Sequence, residues 1–367
     1  MFNDALGLIL ADDRKLHLSE LTRLRAFAAV PFAGRYRLID FPLSNMVNSG
    51  ITRVGIATSY KYKSLMDHLG TGSNWDLDRK NQGLHVLPPY LASENYYNEG
   101  DDLKGVQDFL RSSSNQNVVI SLANNVFTAE YSEYLQEHIE SGADATVLYN
   151  NDVPEDGQNF IMKLDQNQKV IDLFLNPEDK QYTANSLGVL FIGRELLNSI
   201  IADAISRGIP RLTVDLILRK YDSLAIRAVE YKGTVLRVNS VKSYFKASMD
   251  TLDPEVNTAI FWDENLVYTK VKDEAPAYIY EDAEIKNSLV SDGCVVEGKI
   301  SNSVIFRSVE VGEASVLDNC VVMQGSKIGK NVKLSNVILD KDCVILDNTE
   351  LQGEKNYPVV IGKGAKV

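Results

Sequence analysis

From residue 305 onward, aliphatic residues recur every six positions. Ile305, Val311, Leu317 and Met323 stand six apart. After a one-residue slip Ile328 and Leu334 do so, and after another Leu339, Ile345 and Leu351. The fourth positions between them, Val309, Ser315, Val321, Val332, Ile338, Cys343 and Thr349, are small or β-branched for the most part. Neither the 3.6-residue period of a helix nor the strict alternation of a half-buried strand produces this spacing. It fits a coiled parallel β-helix, in which each hexad supplies one face of a triangular coil and points its aliphatic residue into a shared interior. The alternative, an antiparallel sandwich of short strands, calls for turn signals every ~8–12 residues.

The rest of the chain has a different rhythm. Ala5 to Leu10, Arg53 to Thr58, Asn117 to Leu122 and Ala145 to Tyr149 are short apolar or β-branched runs, read as strands. Tyr62 to Leu69 and Tyr131 to Ile139 repeat apolar residues at three- and four-residue spacing, read as helices packed on a mostly parallel sheet. The division that follows is an α/β domain over residues 1–250, a connector over 251–277 carrying Pro254 and Pro276, and the β-helix over 278–367. At 367 residues, two domains are the ordinary expectation.

Charge narrows the classes of partner. Acidic residues outnumber basic ones by 50 to 38, a net charge of −12 that opposes non-specific attraction to nucleic acid or anionic lipid. Met1 to Ala11 has no basic segment ahead of its apolar run and is too short to span a bilayer, so a cytoplasmic location is expected. Cys294, Cys320 and Cys343 are widely spaced and read as small buried apolar residues. His68, His85 and His138 lack neighbours at metal-site spacing, and Trp75 and Trp262 read as packing residues.

Three stretches carry a family resemblance: Ala26 to Ile51 (AFAAVPFAGRYRLIDFPLSNMVNSGI), Trp75 to Tyr90 (WDLDRKNQGLHVLPPY) and Ser243 to Asp250 (SYFKASMD). They resemble bacterial glucose-1-phosphate adenylyltransferase, the ADP-glucose pyrophosphorylase family. That resemblance implies a Rossmann-like nucleotidyltransferase domain followed by a left-handed parallel β-helix of hexapeptide repeats. It also implies a reaction in which glucose 1-phosphate attacks the α-phosphorus of ATP, with magnesium and cationic side chains neutralising the transition state.

Position by position, the residues that this chemistry requires are missing. The family's GGxGTRL loop corresponds to Asp12, Asp13, Arg14, Lys15, Leu16, His17 and Leu18, so two carboxylates stand where the triphosphate would lie and His17 takes the place of the catalytic arginine. The lysine of the AKPAV pattern is Phe27. The two magnesium-binding aspartates correspond to Asn124 and Arg237. In the F-x-E-K-P pattern the sugar-binding carboxylate and the phosphate-binding lysine are Leu175 and Asn176, although Ser186 and Gly188 of the S-x-G pattern remain. No metal and no cofactor are expected at such a site.

A lost site on a preserved scaffold resembles the GlgD-type non-catalytic subunits of the family. That implies assembly with a catalytic subunit as a heterotetramer and a regulatory role. A stand-alone sugar-phosphate or nucleotide sensor and a weakly active pyrophosphorylase remain as alternatives. Arg25, Arg35 and Arg37 are candidate effector residues, since family members bind phosphorylated effectors through basic residues at or beside these positions, with partners from the β-helix. Solvated arginines or interface salt bridges would account for the same residues.

Overall fold

The structure is a computed structural model that describes residues 4–11, 18–58, 61–80, 82–88, 102–154, 156, 159–178, 181–209, 211–262 and 264–367. In the N-terminal domain nine strands form one sheet: β1 (Ala5–Leu10), β2 (Arg53–Ala57), β3 (Gly83–Leu87), β4 (Asn117–Leu122), β5 (Ala145–Asn150), β6 (Phe160–Leu164), β7 (Val170–Leu175), β8 (Ala184–Gly193) and β9 (Ile226–Glu230). β1 is central and runs parallel to β2 and β4, and β2 runs parallel to β3. The sheet is mixed, because the long β8 runs antiparallel to β4, β5 and β6.

Every residue of β1 is buried, since both faces of the sheet are covered. On one face Leu6, Leu8 and Ile120 pack in a core with Phe109 of α3 (Asp102–Arg111) and Leu197 of α5 (Arg194–Ser206). On the other, Ile9, Val119 and Phe191 join Met46 of α1 (Asp40–Asn48), Leu65 of α2 (Lys63–Leu69) and Leu135 of α4 (Tyr131–Ser141). Three α/β/α layers result.

After α6 (Val214–Leu218), α7 (Val241–Asp250) opens on a capping box in which the Ser240 and Ser243 side chains each accept from the other's backbone N–H. Residues 251–277 are not simply extended. Asp253 caps α8 (Pro254–Phe261) by accepting from the Glu255 and Val256 N–H groups, with Pro254 at the first helical position.

Beyond Tyr278 the strands run parallel in successive coils. Val311 lies beside Ile328 and Ile328 beside Ile345; Leu317, Leu334 and Leu351 form a second stack; Ile305, Val322, Leu339 and Ile361 form the third. Between Ile305 and Leu351 a coil advances 17 residues, three hexads less one, which is the origin of the slips in the repeat; the step from Val296 to Val311 takes 15 residues and that from Leu339 to Ile361 takes 22. Asn302, Asn319 and Asn336 turn one corner with φ of 46°, 54° and 52°, a left-handed conformation that asparagine tolerates better than most residues. Their amides add to the stack, with Asn319 donating to Asn336.

One hexad position departs from the expected pattern. The inward residue of its rung is Val322, whereas Met323 turns outward with Val321 and Ile338 into a core shared with the N-terminal domain. Both faces of that strand are apolar because both are buried, so periodicity could not distinguish them. Phe27, Phe32, Phe41, Tyr244 and Phe306 lie in the same shared core. Gly34 sits where the two domains approach closely: with φ of 79°, an added Cβ would fall 2.5 Å from the Leu289 and Ser291 side chains of the β-helix. The three cysteines are buried. No described helix is long and apolar enough to cross a membrane.

Candidate functional site

Two places bear on function: the loops beyond the ends of β4, β5 and β8, and the seam between the domains. At the first, residues 125–126 pair antiparallel with 236–237, and the Val238 N–H donates to the Asn124 carbonyl at 2.8 Å. This short ladder brings Asn124 and Arg237 together. Asn124 Nδ2 donates to Asn239 Oδ1 at 2.8 Å. Arg237 is 8 % exposed; its Nη1 donates to the Ser186 carbonyl at 3.2 Å, while Nη2 donates to the Asn150 side chain and to the Asn185 carbonyl.

Burial pushes the Arg237 guanidinium down to about 10, with Asp152 opposing the shift, so it remains a cation at neutral pH. With no carboxylate at either position and a guanidinium fixed at one of them, the pair repels a divalent cation, since the amide oxygen of Asn124 alone does not offset that charge. The two positions assigned to magnesium binding by resemblance instead hydrogen-bond to separate structural partners, Asn124 to Asn239 and Arg237 to Ser186, Asn150 and Asn185.

The remaining positions follow the same direction. Phe27 is 2 % exposed in the interdomain core, where a lysine would be desolvated. Leu175 is 45 % exposed at the edge of the sheet. Asn176, with φ of 45°, donates its N–H to the Asn159 carbonyl at 3.1 Å and accepts the Asn159 N–H on Oδ1 at 2.8 Å. Ser186 Oγ accepts the Gly188 N–H at 3.1 Å, and a Cβ at Gly188 would lie 2.5 Å from Leu122, so the retained S-x-G pair serves local packing. Asp12, Asp13 and His17 lie outside the described residues. Trp75 is buried, whereas Trp262 is 76 % exposed and does not act as a packing residue.

The seam holds a cavity of about 200 Å³. Arg35 and Arg37 enter it from the N-terminal domain, Lys270 and Lys272 from the connector, and Arg307 and Lys341 from the β-helix, and among the described lining residues Asp67 is the one carboxylate. Among the described residues, none of these six cations has a carboxylate within ion-pair distance. Arg307 is 5 % exposed and its Nε has no hydrogen-bond partner among the described residues. Arg37 is held in place by Ser64, through Nη1 contacts of 2.6 Å to the carbonyl and 3.0 Å to Oγ, while its N–H donates to Asp40. Asp40 in turn meets His68 Nε2 at 2.6 Å.

Burial and repulsion from neighbouring cations depress Arg37, Lys272, Arg307 and Lys341. Arg37 is pushed down to about 10 by burial, with Arg25 adding to the shift, and Lys272 is lowered by burial and then by Arg307. Asp40, Glu274, Asp292 and Asp340 offset these shifts only in part, so the site favours an anion that would add to their attraction. Arg25 lies apart from the cavity wall. Its Nη2 donates to both oxygens of buried Asp340, at 2.8 and 2.9 Å, making it an interface ion pair between the domains. Lys270, Lys272, Arg307 and Lys341 were not singled out in the sequence. The hexad register does place Arg307 and Lys341 each two residues beyond an inward position, but identifying the N-terminal face requires the folded interface.

Residues 6–252 match the nucleotidyl transferase family, and residues 275–356 match the GlmU-like C-terminal hexapeptide family. The chain is 37 % identical over 369 residues to the glycogen biosynthesis protein GlgD of Bacillus subtilis (strain 168), covering 99 % of this chain and 97 % of that one. It is 34 % identical over 364 residues to the glucose-1-phosphate adenylyltransferase of Bacillus mycoides (strain KBAB4), covering 97 % and 96 %. The corresponding protein of Bacillus anthracis is 33 % identical with the same coverage.

Proposed function

Because the chain belongs to the nucleotidyl transferase family, in the group that contains glucose-1-phosphate adenylyltransferase and GlgD, we propose that it is a regulatory, catalytically impaired subunit of that enzyme. It assembles with a catalytic subunit, as a heterotetramer, and raises that subunit's output of ADP-glucose for glycogen biosynthesis. The observation that carries this reading is Arg237: a buried guanidinium hydrogen-bonded to Ser186, Asn185 and Asn150 stands where the resemblance implies a magnesium ligand. A cation fixed there opposes metal binding, and without the metal the pentavalent transition state loses its principal neutralising charge.

Regulation requires no chemistry in this subunit. An assembly that exchanges between weakly and strongly active states is biased by any subunit that favours one of them. The cationic cavity supports a further element of the reading, a phosphorylated small-molecule effector held by Arg35 and Arg37 together with the β-helix cations. Arg25 contributes by joining the two walls through Asp340 rather than by touching the ligand.

The test is product formation. Given ATP, glucose 1-phosphate and magnesium, the isolated chain should yield ADP-glucose no faster than a protein-free control. Co-purification with a catalytic subunit should give a mixed complex of higher turnover than that subunit alone. Robust turnover by the isolated chain, or failure of the two chains to associate, would overturn the proposal.

A further inference from the structure

Lys341 stands apart from the other cations of the cavity. The neighbouring carboxylate, Asp340, is already engaged, with both oxygens held by Arg25. Lys341 reaches Asp340 through its backbone N–H, which donates to Oδ1 at 2.7 Å, and its Nζ has no ion pair among the described residues. The charges that face it are mostly of its own sign: Arg25 and Arg37 from the N-terminal domain and Lys272 from the connector. His68 of α2 also faces it, though that imidazole is tied to Asp40. Farther round the wall lie Arg35, Lys270 and Arg307, with Asp67 opposing them.

An ammonium so placed gains little from folding while it has no counter-ion. A bound dianion would reverse that balance by supplying the missing attraction and screening Arg37 and Lys272. We propose that filling this cavity with an anion is coupled to uptake of one proton by Lys341, so that the site binds more tightly as the solution becomes more acidic. The inference rests on the anion-site reading of the cavity given above.

Burial, reinforced by Arg37, Arg25 and Lys272, pushes Lys341 down to about 7, which sets the window. Below pH 7 the amine is already protonated and binding carries no linkage. Above it the free protein is largely neutral at Lys341 while the complex holds the proton, so affinity falls as pH rises. Arg37 titrates at about 10, and His68 is lowered by burial below its ordinary 6.5. Lys272 is also lowered, so variants at position 341 are needed to assign the proton.

Inorganic sulfate is a suitable probe, because it stays dianionic across the whole range. Titration calorimetry on the full chain at pH 6 and pH 8, in two buffers of different ionisation enthalpy, reads affinity and proton uptake together. The wild type should take up close to one proton per sulfate at pH 8 and almost none at pH 6, with affinity falling by up to about tenfold per pH unit above 7. Lys341→Arg should bind at pH 8 as tightly as the wild type does at pH 6, without proton uptake. Lys341→Met should bind weakly at both values and also take up none. Undiminished uptake in both variants, or pH-independent binding by the wild type, would overturn the coupling while leaving the cavity an anion site. Absence of sulfate binding at every pH would overturn the anion-site reading and the coupling with it.

Discussion

At position 237, removing one guanidinium would leave the Ser186 and Asn185 carbonyls and the Asn150 amide without their donor in a buried cluster. Arg237→Ala should therefore destabilise the N-terminal domain by about 2–4 kcal/mol, read as a lowered urea midpoint with little change in slope. A change of under about 0.5 kcal/mol would mean that the cluster is solvated and that Arg237 does not organise it. The residues at positions 237 and 124 were singled out in the sequence from short motifs outside the three long matching segments. The hydrogen bonds of Arg237 were not legible, since Asn150 comes from β5 and Asn185 and Ser186 from β8, all more than 50 residues away in sequence. The Arg25 to Asp340 ion pair spans 315 residues of sequence and has no local signal.

Among the elements, the strands Ala5–Leu10 and Asn117–Leu122 coincide with their apolar runs, because a strand covered on both faces shows its full length as hydrophobicity. The connector helix Pro254–Phe261 carries its own signals, Asp253 as cap and Pro254 after it, which the mixed charges around them obscured. In the β-helix the hexads revealed the coil but not which side meets the N-terminal domain, hence the displacement of Met323 from interior to interface. The assignment of inward and outward positions can be tested on neighbours. Leu317 is fully buried in the coil interior, and Leu317→Ala should cost about 2–5 kcal/mol in chemical denaturation. Val316, 41 % exposed, should tolerate Val316→Thr within about 0.5 kcal/mol. Equal costs at the two positions would contradict the register.

For the whole molecule, the shared core of Phe27, Phe32, Tyr244, Phe306 and Met323 makes the two domains one packed body, and the cationic cavity opens on the seam of that body. A ligand there touches the N-terminal domain, the connector and the β-helix together, the arrangement needed if occupancy is to bias how the chain fits its neighbours. The buried guanidinium of Arg237 and the charged seam both fit the proposed role, action through a partner. The most direct measurement is the rate of ADP-glucose formation by a fixed amount of catalytic subunit as this chain is titrated in with ATP, glucose 1-phosphate and magnesium present. The account predicts no product from this chain alone and a rate that climbs and saturates at a fixed subunit ratio. A flat titration, or product formed in proportion to this chain without its partner, would contradict it.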